Sequence, residues 1–94
     1  MKLIFERSAR RDLEAIGDWI AKDNPRAAID VVSHIRRDVD LLLAFPKMGA
    51  VIASTSARKW PVPRLPYIVV YRIDEARDAL IVLAVVHAAR DRRP

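Results

Sequence analysis

His87 closes an apolar run three residues before Arg90, and Arg58 and Arg72 lie upstream in a stretch that holds no acid. A histidine set among fixed cations is the beginning of a phosphodiester-cleaving site. Imidazole can move a proton, and guanidinium groups can stabilise the charge that builds on phosphate oxygens. Ribonuclease-type cleavage also needs a second group, because one residue must take the 2′-hydroxyl proton and another must protonate the leaving oxygen. The basic stretch offers no carboxylate, and the segment after His87 contains no tyrosine. His87 therefore keeps two readings, a proton-transfer group or a strand-end side chain bonded to a backbone carbonyl. His34, beside Ser33 and Arg36, falls off the apolar face of its helix and reads as solvated. Two distant histidines without cysteine give no metal-ligand spacing. Glycine is too scarce for a phosphate cradle, and Ser8, Ser33, Ser54 and Ser56 lie in no nucleophile motif. Neither a metal nor a cofactor is expected.

Binding is the other chemistry on offer. From Pro46 to Ile73 the chain carries Lys47, Arg58, Lys59, Arg64 and Arg72 and neither Asp nor Glu. Up to Phe45 eight Lys/Arg balance eight Asp/Glu; beyond it nine face four, so the net charge of +5 arises in the C-terminal half. One sign of charge gathered there points to a polyanion or an acidic protein as partner. Tyr67 and Tyr71 share one face of their strand with Arg72 on the other, which suits base stacking or, more plainly, core and rim. Trp60, between Lys59 and Pro61, and Trp19, on a charged helix, are hard to bury and read as interface anchors.

The elements that must position these groups follow from periodicity. Lys2 to Glu6 reads as a short strand, and Ser8 as the N-cap of a first helix. Ala9, Leu13, Ile16 and Ile20 recur at helical spacing, with Trp19 flanking them. Asp23-Asn24-Pro25 breaks and restarts the chain, since proline suits the first turn of a new helix. Ala28, Val32, Ile35, Val39 and Leu42 then form the clearest apolar stripe, which Pro46 ends. Two helices joined by so short a turn lie antiparallel. Residues 48–57 read as a loop. Residues 58–62 read as a strand that Pro61 and Pro63 confine to an edge. Residues 67–73 and 79–87 form a hairpin around the polar turn 74–78. Both hairpin runs are apolar on both faces, which places them in the middle of the sheet. The expected fold is α+β: an N-terminal strand, an antiparallel αα-hairpin and a three-stranded antiparallel meander, with the helices on one face. Leu13, Ile16, Val32, Ile35, Val39 and Leu42 are the expected core.

Ninety-four residues without repeat or linker read as one domain spanning 1–94. The longest apolar run, Ala79 to Val86, is far short of the roughly 20 residues of a membrane helix. The charged start leaves no room for a signal-peptide core, so a soluble, cytoplasmic protein with no membrane partner is expected.

With these residues in place, the chain resembles toxins of the ParE/RelE superfamily, the toxic half of bacterial type II toxin–antitoxin modules. The resemblance runs from Leu3-Ile4-Phe5 through Ala9, Asp12-Leu13, Ile16 and Trp19-Ile20 to residues 24–28. It continues with Leu42, Phe45-Pro46, Gly49 and Arg58, and is strongest at residues 66–72 and at Ile81, Val86-His87 and Arg90. RelE-like members cut ribosome-bound mRNA, and under that reading Arg58, Arg72 and His87 are the catalytic candidates. The C-terminal tyrosine of that pattern is missing here, and Ala88-Ala89 stands where polar groups belong. ParE-like members poison DNA gyrase, and the ending Val-His-x-x-Arg is similar to theirs. The resemblance therefore implies a gyrase-binding toxin, with the mRNA interferase acting on ribosome and message as the alternative. It implies target contacts from Lys59, Arg64, Arg90, Arg92 and Arg93. It further implies a cognate antitoxin, ParD-like or RelB-like, bound through Trp19, Arg58 and Trp60, and assemblies of several toxin and antitoxin copies.

Overall fold

A computed structural model describes residues 1–91; Arg92 and Arg93 of the expected target surface lie outside the described residues. The chain runs β1 (Lys2–Phe5), α1 (Arg7–Ala21), α2 (Pro25–Ala44), β2 (Ala50–Val51), β3 (Ala57–Pro61), β4 (Tyr67–Asp74) and β5 (Ala79–His87), then a 3₁₀ turn, Ala88–Asp91. The five strands form one sheet in the order β1-β5-β4-β3-β2. The apolar hairpin β4–β5 occupies its middle, and β3, β4 and β5 are the expected antiparallel meander. Two features go beyond that expectation. β1 pairs in parallel with β5, and the loop after α2 contributes β2 to the outer edge of β3.

The helices cover one face. Ala9 and Leu13 of α1 and Ile35, Val39 and Leu42 of α2 are buried together with Val69 and Tyr71 of β4 and Leu80, Val82 and Val85 of β5. Ile16 packs half-buried against this core, and Val32 lies half-buried at the helix–helix seam near Gly17. The turn between the helices is fixed as the sequence reads: Asn24 Oδ1 accepts from the Ala27 N–H at 3.1 Å, with Pro25 in the first turn.

Ser8 does not cap α1. The cap lies two residues earlier, at Glu6, and the Ser8 hydroxyl donates instead to the Leu83 carbonyl at 2.7 Å. The cause is a β-bulge. Val70 pairs with Ala84 and Tyr71 with Val82, so Leu83 has no partner on β4. The extra residue shifts the alternation by one, which lets Val82 and Val85 both face the helices. Beyond Phe5, β1 no longer covers β5, and α1 takes over. The Glu6 N–H donates to the Val82 carbonyl at 2.9 Å, and Asp12 Oδ2 accepts from the Val85 N–H at 2.9 Å. Buried or half-buried backbone groups need such partners, and here the Glu6 backbone and the Ser8 and Asp12 side chains supply them.

Candidate functional site

The register fixes where each candidate side chain stands, because residues paired across strands share a face. Arg58 pairs with Tyr71 and Trp60 with Val69, so both are on the helix-covered face. Arg58 is consumed there: its guanidinium donates to the Gly49 carbonyl at 2.8 Å and to the Lys47 carbonyl at 3.3 Å. The neighbouring Tyr71 hydroxyl donates to the Pro46 carbonyl at 2.6 Å and accepts from the Gly49 N–H at 2.9 Å. Burial pushes the Tyr71 pKa up, against the opposing pull of the Gly49 bond and the Arg58 charge. Tyr71 is 0% exposed, which removes it as a stacking platform. Together Arg58 and Tyr71 latch the chain between α2 and β2 onto the sheet. No sequence period announces this latch, since its acceptors are backbone atoms of residues 46–49.

Trp60 is half-buried against the core, and its indole N–H donates to Asp38 Oδ2 at 2.8 Å. Trp19 behaves differently. It is 70% exposed on α1, with the Lys22 ammonium 5.4 Å from its ring centre. Of the three residues expected to meet an antitoxin, Trp19 alone presents its ring to solvent, while Arg58 and Trp60 already serve contacts inside the fold.

The three residues weighed for RNA cleavage do not meet. Arg72 pairs with Ala57 and Ile81, on the face opposite Tyr71, and its guanidinium lies 3.7 Å from Asp74 Oδ2. His87 pairs with Tyr67 and shares the helix-side face with it. Tyr67 and Arg72 are five positions apart on one strand, roughly 16 Å at the usual rise. Arg72 is therefore separated from His87 both by that length and by the thickness of the sheet. His87 Nδ1 accepts from the Ala89 N–H at 3.1 Å, so the ring proton of the neutral form sits on Nε2. The ring meets Tyr67 edge-on, 82° between planes and 5.5 Å between centres. His87 does bond backbone at the strand end, but through the Ala89 N–H and not through the carbonyl expected from the sequence.

The remaining cations take two places. Lys59 pairs with Val70 and Ala57 with Arg72, so Lys59 and Arg72 are diagonal neighbours on the face without helices, alongside Ile4, Ile68 and Ile81. Arg64 stands in the β3–β4 turn with φ 70°, a left-handed conformation rare for a β-carbon-bearing residue. That turn is at the same end of the sheet as His87, and Arg90 follows in the 3₁₀ turn, itself tied back by the Ala88 N–H to the Pro66 carbonyl at 2.8 Å. Among the described residues no cluster of His, Cys, Asp and Glu could hold a metal, and no helix is long and apolar enough to cross a membrane.

An αα-hairpin laid on one face of a five-stranded sheet is the architecture of the ParE/RelE superfamily toxins. Residues 3–92 match the family described as ParE toxin of type II toxin–antitoxin system, parDE, and the chain belongs to that family. A candidate toxin of Sinorhizobium fredii, Y4kP, is 42% identical over 80 residues, covering 85% of this chain and 80% of its own. Among solved structures, a chain of the chromosomal ParDE system of P. aeruginosa superposes with a TM-score of 0.80 at 24% identity, over 93% of this chain and 95% of that one. A chain of the intact E. coli RelBE toxin–antitoxin complex superposes at 0.70 and 16% identity, over the same shares of each. At these identities the structural likeness speaks to the fold alone.

Proposed function

We propose that this toxin arrests growth by binding DNA gyrase and is neutralised by a cognate antitoxin, rather than by cutting RNA. The observation that carries the reading is the dispersal of Arg58, Arg72 and His87. Phosphodiester cleavage requires its proton-transfer groups and its charge-stabilising cations within hydrogen-bond reach of one phosphate. Here one guanidinium is spent on backbone, another lies on the opposite face, and the histidine is engaged through Nδ1. A binding surface makes no such demand, because Coulombic contacts sum over a face. Lys59, Arg64 and Arg90 supply that surface, with Arg92 and Arg93 proposed to extend it.

The antitoxin is an acidic partner in this reading, which suits a toxin whose excess charge lies in its C-terminal half. The test is induced expression followed by parallel assays for DNA breaks and for ribosome-dependent mRNA cleavage. Gyrase-dependent breaks are expected, with toxicity surviving His87→Ala and falling when Arg90, Arg92 and Arg93 are replaced together. Message cleavage that disappears with a folded His87→Ala protein overturns the proposal in favour of the interferase.

A further inference from the structure

The turn between β3 and β4 is built around a residue that its backbone geometry disfavours. Pro63 fixes a negative φ at the second position and Arg64 takes φ 70° at the third, while the Leu65 N–H donates to the Val62 carbonyl at 3.2 Å. That is the pattern of a type II turn, whose third position is the place for glycine or asparagine. A residue with a β-carbon meets a steric cost there. Ser54 and Asp78 also take positive φ, but their side chains are short and polar. Nothing inside the fold offsets the cost for Arg64. It is exposed, and its guanidinium has no hydrogen-bond or ion-pair partner among the described residues. The turn beneath it is nonetheless clamped. Val62 is buried and Leu65 packs half-buried against the core. The Val62 N–H donates to the Tyr67 carbonyl at 2.9 Å, and the Pro66 carbonyl accepts from the Ala88 N–H at 2.8 Å.

We infer that Arg64 is the arm that grips a carboxylate on the surface of the target protein, on a turn whose backbone would be more relaxed without it. The inference rests on the gyrase reading and deepens it by naming one contact and its chemistry. A conformational cost with no return inside the molecule points to a return outside it. The clamp serves the same role, since ordering the turn before the encounter removes part of the entropy lost on binding. Arginine suits the position because its planar fork bonds a carboxylate through two parallel N–H groups, each stronger than a neutral bond. A carboxylate fits better than a DNA backbone. Duplex binding relies on several cations that each neutralise a phosphate. The neighbouring cations of this stretch are already engaged: Arg58 with backbone carbonyls, Arg72 beside Asp74, and Lys59 with a contact of its own. One fixed guanidinium selects one acidic group, not a track of them.

The experiment measures the affinity of the full-length chain for purified gyrase, with and without DNA, and for the cognate antitoxin. The parent, Arg64→Gly, Arg64→Lys and Arg77→Ala are compared, and thermal unfolding is followed for each. Arg77 lies in the β4–β5 turn at the opposite end of the sheet and serves as control. Arg64→Gly is expected to melt at or above the parent temperature, because glycine adopts the left-handed turn without strain. It is expected to lose roughly tenfold or more in gyrase affinity, as for one strong interface contact. Arg64→Lys keeps the charge without the fork and falls between, and Arg77→Ala matches the parent. A clearly lower melting temperature for Arg64→Gly means that the arginine serves the fold, and overturns the inference. Gyrase binding indifferent to Arg64 overturns it too and leaves the gyrase reading standing. Parent-like binding by Arg64→Lys overturns the two-bond contact. A loss equally large toward the antitoxin, or confined to it, overturns the choice of partner. A loss seen only with DNA present overturns the carboxylate in favour of a phosphate. If the parent does not bind gyrase, the gyrase reading falls and the inference with it.

Discussion

Replacing Tyr71 by Phe removes one oxygen from the best-buried aromatic side chain of the fold. That oxygen joins the Pro46 carbonyl at 2.6 Å to the Gly49 N–H at 2.9 Å. Gly49 is buried, so its N–H is left without an acceptor, which costs about 1–3 kcal/mol. The bond to the half-buried Pro46 carbonyl contributes about 0.5–1.5 kcal/mol more, because water can replace it in part. The expected loss is about 2–4 kcal/mol, out of a total of about 5–15 kcal/mol for such domains. For a domain of this length that lowers the melting temperature by roughly 10–25 °C. Urea unfolding of the two proteins is the assay, with Arg58→Ala and the double variant closing a cycle. Arg58 holds the Gly49 carbonyl, so the two losses should be non-additive. The latch also has a pH signature. Burial raises the folded-state pKa of Tyr71 above its ordinary value of 10.0. The native state therefore holds that proton more tightly than the unfolded chain does. The stability gained is fully present below about pH 10 and is lost as pH rises through the folded value. The stability gap between parent and Tyr71→Phe should narrow along that alkaline limb. A Phe variant within about 0.5 kcal/mol of the parent refutes the latch, since it lies below the range for one buried, orphaned donor.

The stitching of α1 to β5 makes a second case. Asp12→Ala strands the Val85 N–H and should cost about 1–3 kcal/mol, whereas Asp12→Asn keeps an acceptor oxygen and should cost less; hydrogen exchange at the Val85 amide reads this directly, and equal protection in the two variants would contradict it. Ile35 is 0% exposed beneath α2, so Ile35→Ala should cost about 2–5 kcal/mol. A denaturation midpoint unmoved by that change would mean the helix does not pack as described.

Much of the fold was legible because it is written in local periods. The four-three spacing from Ala28 to Leu42 gives α2 its buried stripe, and Asn24-Pro25 marks its start through a capping oxygen and a ring already set for the first turn. Apolar residues on both faces of 67–73 and 79–87 place that hairpin at the centre of the sheet. The same even hydrophobicity concealed the bulge at Leu83, since a run with no polar residue carries no alternation from which a slip can be read. Ser8 had the chemistry of an N-cap, but the unpaired Leu83 carbonyl, 75 residues away in the chain, claimed its hydroxyl.

The candidate site was legible as a list of residues, not as an arrangement. Sequence alone determined that the C-terminal half is basic, that His87 and Arg90 follow the last strand and that Trp19 flanks an apolar stripe. A two-residue period also separates Arg58 from Lys59 and Tyr71 from Arg72, but it cannot say which of the two faces meets the helices. That depends on contacts between segments distant in the chain: α2 lying over Val69 and Tyr71, and β1 pairing beside β5. Only the tertiary structure could turn Arg58 inward to the backbone, leave Arg72 on the opposite face, and bring Trp19 beside His87 and Arg90. Side-chain chemistry is fixed residue by residue, whereas proximity is decided by which apolar faces the whole chain can bury together.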